Sequence, residues 1–276
     1  MKIAVALALG LLTAAAAPQD REQTAEAAYS AARAASPTPL RLDRDRQEWR
    51  LYRQSEGADV AETDQRWTER WAAAGARDSR VRALAVAGPT LSRDCVDIGI
   101  SGCTTPTGGY LNIRGQVLMW QLQEGFTPED GKTAGYVLLT GTDRLRAEAW
   151  GHEGVWYEAP KILWIEDQAY VGVAGVMAGT GVFNADALFR FTPDAPRPLT
   201  EIDNFSWRDT DLPGLLPTGL EIWKGVSFNY DTLTARTALW RPADGNCCPS
   251  GGEATLVFEI RDDRLVLTQL LRDGAE

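Results

Sequence analysis

The feature that most constrains the fold of this chain is a change of sequence character near Pro89. Before it, residues 20–87 are rich in Ala, Arg, Glu and Gln and never alternate at a period of two, which favours helices. After it, short β-prone runs are separated by turn residues, which favours antiparallel sheets. We therefore predict an α+β protein, with a helical segment over residues 17–88 and a mainly antiparallel β domain over residues 89–276, built as a sandwich, a barrel or propeller-like sheets.

Individual elements follow from the local patterns. Three helices are predicted over residues 40–56, 59–74 and 78–87. Thr38-Pro39 is a start signal for the first helix, and Gly75 is an end signal for the second. The predicted buried face of the first helix consists of Leu42, Trp49 and Tyr52. Tight hairpin loops are predicted over residues 166–168 and 261–263. The predicted strands are 117–122, 135–140, 145–150, 161–165, 170–176, 187–191, 220–223, 226–230, 237–240, 254–260 and 265–271.

The first seventeen residues have the layout of a secretory signal peptide. Lys2 precedes an apolar run over residues 3–12, and small residues follow. The run is too short to span a bilayer, and no other stretch approaches membrane length. Ala14 and Ala16 form the small-residue pair expected before a cleavage site, so we predict a signal peptide over residues 1–16. The mature protein is then periplasmic or secreted, where cysteines meet an oxidising environment.

The charge of the chain is acidic and unevenly placed. There are 28 basic and 38 acidic residues, and the acidic excess lies after residue 90. Such a surface disfavours binding to nucleic acid or to anionic lipid and would favour a basic partner. The same charge also serves to keep an exported domain soluble.

Four cysteines, Cys95, Cys103, Cys247 and Cys248, allow three disulfide pairings. In the local pairing, residues 96–102 close on themselves as a loop and the doublet is left adjacent, where a bond is strained because neighbouring Cα atoms lie only ~3.8 Å apart. In the crossed pairing, each member of the doublet bonds to one of the two earlier cysteines. Both alternatives remain open. The spacing does not suit a zinc site, and export favours oxidation.

The stretch Asn246-Cys-Cys-Pro-Ser-Gly-Gly252, followed by a predicted strand, resembles a motif of uncharacterised bacterial secreted and lipoprotein-like proteins. The resemblance implies an exported protein and brings no activity with it. Pro249 and the two glycines predict a turn before the strand. A reducible switch at the cysteine doublet is the alternative interpretation.

A second resemblance lies in the first predicted helix. Trp49-Arg-Leu-Tyr52-Arg53-Gln-Ser-Glu56 resembles the Trp-x-x-Tyr-Arg-x-x-Glu stretch of small helical periplasmic domains of the lysozyme-inhibitor type. The resemblance implies an envelope protein that binds a basic lysozyme. The alternative interpretation is that Trp49 and Tyr52 pack the helices together while Arg46 and Arg53 are solvated.

The sequence carries little catalytic signal. His152 is the single histidine, which disfavours hydrolytic triads and two-histidine metal sites, and we interpret it as an ordinary loop residue. Residues 125–133 have the wrong glycine spacing for a phosphate loop. Asp209 and Asp211 do not form an EF-hand loop, because Pro213 stands where a third ligand belongs. We therefore assign no catalytic residue, no metal and no cofactor.

Acidic and tryptophan residues cluster over residues 148–167, and aromatic platforms beside carboxylates suit a sugar. The candidate ligand-facing residues are Trp150, Trp156, Trp164, Glu153 and Glu158. We expect a non-enzymatic binding or structural protein of the envelope, with a basic protein such as lysozyme or a glycan as partner. The alternative is a carboxylate-based glycan hydrolase. That alternative requires two of these carboxyls to converge in a Trp-lined cleft, whereas scattered carboxyls favour a binding protein.

Overall fold

The computed structural model describes most of the chain, namely residues 18–55, 57–87, 94–128, 131–178, 184–223, 225–245 and 247–273. The predicted signal peptide, residues 1–16, lies outside the described residues, as do Pro89 and Asn246. Helices come first and antiparallel sheets follow, as predicted for an α+β chain. None of the described helices is both long enough and apolar enough to cross a membrane.

Three long helices form the first part. They are α1 (Pro18–Ala35), α2 (Pro39–Gln54) and α3 (Val60–Ala83). Helix α2 begins directly after Thr38 with a proline in its first turn, as predicted. Helix α3 begins after Asp59, whose side chain accepts a hydrogen bond from the Glu62 amide at 3.0 Å. That bond satisfies one of the free amides at the start of the helix.

The predicted break at Gly75 is wrong, because α3 continues through it as one helix. Gly75 marks instead the place where α1 crosses α3: an added Cβ there would lie 3.1 Å from the Cα of Ala32. The glycine therefore allows two backbones to approach closely and does not end the helix. The predicted third helix is also wrong beyond Ala83, because Ala85–Ala87 form a short strand, β1.

The three helices share an aromatic core centred on Trp71. Its ring lies 5.4 Å from that of Trp49, 5.3 Å from that of Trp67 and 5.5 Å from that of Tyr29, measured between centroids. Rings at such distances pack edge-to-face or tilted, which is favourable for aromatic pairs. Tyr52 does not belong to this core, since its side chain is 45% exposed, and the prediction that it is buried is wrong.

The first sheet has five antiparallel strands in the spatial order β1-β5-β4-β3-β2. Strands β2 to β5 are Ser101–Ile113, Gln116–Thr127, Gly131–Thr140 and Arg144–Gly151. Strands were predicted within β3, β4 and β5, and these are confirmed. No strand was predicted over β2, because its Thr, Gly and Pro residues lack an apolar alternation. Strand β1 pairs with β5, so the end of the helical segment contributes directly to the sheet.

Two further antiparallel sheets follow, together with one short strand pair whose strands lie, in the chain, before and after the first two strands of the second sheet. The pair is β6 (Trp156–Tyr157) with β9 (Gly175–Val176). The second sheet contains β7 (Lys161–Ile165), β8 (Gln168–Val173), β10 (Ala187–Phe191) and β11 (Leu199–Glu201). The third contains β12 (Ser227–Asn229), β13 (Thr234–Ala238), β14 (Glu253–Arg261) and β15 (Arg264–Arg272). A four-residue helix, α4 (Trp207–Thr210), lies between the second and third sheets in the chain.

The predicted hairpin loops are confirmed. Asp262 and Asp263 both have positive φ, 51° and 57°, which is the backbone of a two-residue hairpin turn. The strand predicted over residues 220–223 is wrong, because Glu221 makes only an isolated bridge to Trp240. Leu220, the residue before Glu221, closes a turn by donating its amide to the carbonyl of Pro217.

The second sheet lies between the other two. Val171 and Phe189 pack with residues of the first sheet, and Tyr170 and Leu188 pack with residues of the third. Strand β8 is therefore buried on both faces, and its sequence is mostly apolar. Strand β14 of the third sheet, in contrast, alternates between buried and more exposed residues. Each sheet of the described chain is open, with different first and last strands. The choice between a sandwich and a propeller-like arrangement stays a prediction.

The cysteines adopt the local pairing, and the crossed pairing is wrong. Cys95 and Cys103 lie at disulfide distance with their Cα atoms 6.2 Å apart. The segment between them places Val96, Ile98 and Ile100 on the outer face of the first sheet. Cys247 and Cys248, which are neighbours in the sequence, form the second disulfide.

Candidate functional site

The helices dock on the first sheet through paired polar groups. The Trp150 indole donates a hydrogen bond to Asp78 of α3 at 3.0 Å. Arg41 of α2 forms an ion pair with Glu153, which follows β5. Trp150 is 2% exposed, so its ring belongs to the junction between helices and sheet. Two of the predicted ligand-facing residues, Trp150 and Glu153, thus have a structural partner on the helices.

His152 lies between these two contacts. Its Nε2 is 3.0 Å from Arg77, and because a guanidinium only donates, Nε2 accepts and the proton of the neutral ring lies on Nδ1. Burial, with help from Arg41, lowers the pKa of His152 to about 4. Burial alone would raise the pKa of Glu153, but Arg41 and His152 outweigh it and lower that pKa to about 2. His152 is therefore a neutral docking residue at pH 7, which its position in a loop did not indicate.

A cavity of about 620 Å³, which we call the sheet cavity, opens where the β6–β9 pair meets the edges of the second and third sheets. Its wall includes Trp156 and Glu158, two of the predicted ligand-facing residues. Trp156 is 49% exposed, so much of its ring is free for contact. The polar and aromatic lining residues are Trp156, Glu158, Lys161, Asn184, Asp186, Ser227, Phe228, Asn229, Tyr230 and Asp231.

A glycine, an aromatic pair and an ion pair shape the wall of the sheet cavity. Gly172 of β8 lies on its floor, where a Cβ would come 3.4 Å from Leu163 and 3.5 Å from Tyr230. The rings of Phe228 and Tyr230 are stacked with their centroids 5.2 Å apart, which gives the cavity a rigid aromatic side. At its mouth Lys161 bonds Glu158 at 3.2 Å.

Asn184 and Asp186 form the polar centre of the sheet cavity. The Asn184 Nδ2 donates to Asp186 at 2.6 Å and to the carbonyl of Val226. Because both partners are acceptors, the orientation of the amide is fixed. Its Oδ1 is then buried with no hydrogen-bond donor among the described residues. Burial raises the pKa of Asp186 to about 6, although the bond from Asn184 acts against this.

A second space of about 540 Å³, the helix cleft, separates α2 and α3 from the β domain. On the helix side it is lined by charged residues. The β domain contributes amides and aromatic rings together with the charged side chains of Glu153, Asp186 and Arg208. It shares Asn184, Asp186 and Phe228 with the sheet cavity, so the two spaces meet at these residues. Phe205 and Trp223, at 41% and 39% exposed, form its aromatic rim.

The remaining acids of residues 148–167 are scattered. Glu148 bonds Thr140 at 2.7 Å and Arg146 at 2.6 Å on the face of the first sheet. Asp167 is fully exposed at the β7–β8 turn. Trp164 is 46% exposed on β7, where the guanidinium of Arg114 lies 4.7 Å from its ring, and it lines neither of the two spaces. By the criterion set from the sequence, this scatter favours a binding protein.

Trp49 and Arg53, two residues of the helical resemblance, form contacts between the helices. The Trp49 indole donates to Asp64 at 3.0 Å, and Arg53 pairs with the same carboxylate at 2.6 Å and with Glu22 at 2.9 Å. Arg53 is thus not free in solvent. A basic protein as partner stays a prediction.

Three of the residues at the centre of the site were missed from the sequence: Asn184, Asp186 and Phe205. They lie in irregular segments that carry no motif, so the sequence offered no signal for them. Phe228 belongs to a predicted strand, but its position between two spaces depends on how the sheets pack.

Within the part of the chain that the structure describes, no group of three or more His, Cys, Asp or Glu side chains is placed to hold a metal ion. No known protein family has a model that matches this chain, and none of the curated proteins matches it. The function is therefore inferred from the geometry of the sheet cavity and the helix cleft.

Proposed function

We propose that this chain is an exported, non-enzymatic envelope protein that binds a glycan in the sheet cavity. One observation carries the proposal. An exposed tryptophan ring, Trp156, shares the sheet cavity with the carboxyl of Asp186, to which the Asn184 amide donates a hydrogen bond. Binding sites combine apolar walls with a few polar groups that fix the orientation of a ligand.

The chemistry of a sugar complements each of these groups. A pyranose ring has an apolar face that packs on an indole, and its hydroxyls both donate and accept hydrogen bonds. The carboxyls of Asp186 and Glu158 can accept hydrogen bonds from such hydroxyls, and the Asn184 amide extends the polar wall beside them. The cavity volume of about 620 Å³ lies in the range of small-ligand sites.

The predicted leader and the disulfide-distance pair Cys95–Cys103 support export to the periplasm or beyond. A basic protein such as lysozyme is the other partner that the acidic charge supports. The residues of the sheet cavity favour the glycan, because aromatic and amide groups lie beside the carboxylates there.

The proposal is tested by matched tryptophan variants. Trp156→Ala should weaken binding of a neutral trisaccharide about tenfold, because the stacking surface is lost. Trp164→Ala, a residue of nearly the same exposure that lines neither space, should leave the dissociation constant unchanged. The probes are galactotriose, cellotriose, maltotriose and tri-N-acetylchitotriose, and the measurement is titration calorimetry on the full mature chain. Absence of heat with all four at millimolar concentration, or equal losses in both variants, would refute the proposal.

A glycan hydrolase is the second candidate function, and Asp186 is the observation that favours it. Burial holds the pKa of this carboxyl near 6, and the carboxylate of Glu158 contributes to that rise. A carboxyl that holds its proton near neutral pH beside an ionised one is the combination that glycoside hydrolysis uses. Both residues line the sheet cavity together with Trp156.

The two functions predict different outcomes with the same four trisaccharides. A binding protein releases no reducing ends at any pH. A hydrolase releases them mainly below pH 6, where Asp186 is protonated, and Asp186→Asn abolishes the release. The measurement is a reducing-end assay between pH 4.5 and 8, and Glu148→Gln serves as the control because its carboxylate lies on the first sheet. We expect no release.

A further inference from the structure

Two arginines of the helix cleft lie against one exposed aromatic ring. The guanidinium carbon of Arg44, from α2, is 4.8 Å from the centroid of Phe205, and that of Arg208, from α4, is 5.6 Å from the same centroid. Arg208 is also 4.9 Å from the ring of Trp207. Aromatic contacts of this kind hold a guanidinium in place and leave its edge free for hydrogen bonds.

Neither arginine forms a salt bridge with a residue that the structure describes, whereas most charged neighbours in the cleft are already engaged. Arg41 pairs with Glu153, and Arg70 lies 3.5 Å from Asp45. Asp186 is bonded to Asn184. Arg44 affects Glu153 and Glu201 only through charge at longer range. The helix cleft therefore contains two positive groups without a direct counter-ion.

Burial makes an uncompensated charge expensive. Loss of hydration lowers the pKa of Arg208, and the nearby Asp209 offsets this in part. A charge removed from water is usually paired, and a guanidinium prefers a planar carboxylate, with which it forms two parallel hydrogen bonds. Arg44 and Arg208 both line the helix cleft, which meets the sheet cavity at Asn184, Asp186 and Phe228.

We infer that the ligand is an acidic glycan, with one sugar packed on Trp156 in the sheet cavity and a carboxylate of a neighbouring sugar held by Arg44 and Arg208 in the helix cleft. This inference rests on the proposed function and names its ligand class. An acidic protein can bind an anion in this way, because Arg44 and Arg208 form no salt bridge with a carboxylate of the described residues.

A matched pair of trisaccharides tests the charge. Trigalacturonate is compared with a galactotriose of the same linkage, so that the two sugars share their ring stereochemistry and differ in the carboxylates. Trigalacturonate should bind at least about tenfold more tightly at moderate salt, which is the gain expected from charge-assisted hydrogen bonds. Arg44→Gln and Arg208→Gln should each weaken trigalacturonate about tenfold and leave galactotriose unchanged. Arg66→Gln, which removes an exposed charge elsewhere on α3, is the control and should change neither.

An NMR measurement on the unaltered chain tests the same inference without depending on whether the variants fold. The Nε–H signals of Arg44 and Arg208 in nitrogen-edited NMR should shift with trigalacturonate and stay in place with galactotriose. Equal affinity for the two sugars, with both weakened by Trp156→Ala, would overturn the acidic ligand while the glycan function stands. Binding that depends on the arginines and not on Trp156 would overturn the sheet cavity as the site. Tighter binding of a sulfated galactotriose than of trigalacturonate would overturn the carboxylate assignment.

Discussion

Replacing Glu153 with Gln should lower the free energy of unfolding by about 3 kcal/mol, because it leaves the Arg41 guanidinium at the helix–sheet junction without its counter-ion. The side chains of Arg41 and Glu153 are 18% and 27% exposed, so solvent compensates the loss only in part. Asp45 and Asp78 attract Arg41 only through charge at longer range and form no hydrogen bond with it, so they replace Glu153 only in part. Urea unfolding at pH 7, followed by circular dichroism, measures the loss.

An exposed ion pair of the same chain is the control. Arg236 and Glu253 lie 2.8 Å apart with side chains 66% and 61% exposed, and Glu253→Gln should cost less than about 0.5 kcal/mol. The double variant Arg41→Met with Glu153→Gln should recover much of the loss, since no charge is then left unpaired. An equal cost for the two glutamate variants would show that the junction does not hold the helices by this pair.

The order of helices and sheets could be predicted because it depends on short-range patterns. The strands β7 and β10 match their predicted ranges residue for residue, since each is an apolar run bounded by turn residues. The two-residue turn at Asp262 and Asp263 was predictable for the same reason.

Where prediction failed, the cause was contact between segments distant in sequence. Gly75 looks like a helix end, but its environment is set by Ala32 of another helix. Strand β2 has almost no apolar alternation, and it forms because it pairs along β3. Tyr52 has the spacing of a buried residue and yet lies outside the aromatic core, because that core is centred on Trp71.

The candidate site, like the fold, could be predicted only where its residues are close together in sequence. Trp156 and Glu158 were predicted because aromatic and acidic residues lie close together in sequence there, and both line the sheet cavity. Glu153, from the same sequence cluster, faces Arg41 of α2 instead. Asn184, Arg44 and Arg208 come from three separate segments, and only the docking of the helices on the sheets brings them to adjoining spaces. A site assembled in this way has no local sequence signature.

The junction also contains a carboxyl that should make stability fall as the pH rises. Glu201 accepts the amide of Leu40 at 3.0 Å, and burial raises its pKa from 4.5 to about 8. Between these two values the folded chain holds a proton that the unfolded chain has lost, so stability is present at low pH and decreases as the pH rises through this window. From pH 6.5 to 8 the expected loss is about 2 kcal/mol.

The window from pH 6.5 to 8 separates Glu201 from its neighbours. The lowered pKa values of His152 and Glu153 act in the opposite direction and mainly below pH 6.5, because each group costs stability as the pH falls towards about 4 and about 2. Glu201→Gln keeps an acceptor for the Leu40 amide and should remove the decline above pH 6.5. Glu153→Gln, a glutamine variant at the same junction, should retain most of it, because the charge of Glu153 raises the pKa of Glu201 less than burial does. Urea unfolding at pH 6.5, 7.25 and 8 measures both. A decline of the same steepness in Glu201→Gln as in the unaltered chain would mean that this carboxyl is ionised in the folded protein, where the Leu40 amide and the longer-range charge of Arg44 would then have to balance it.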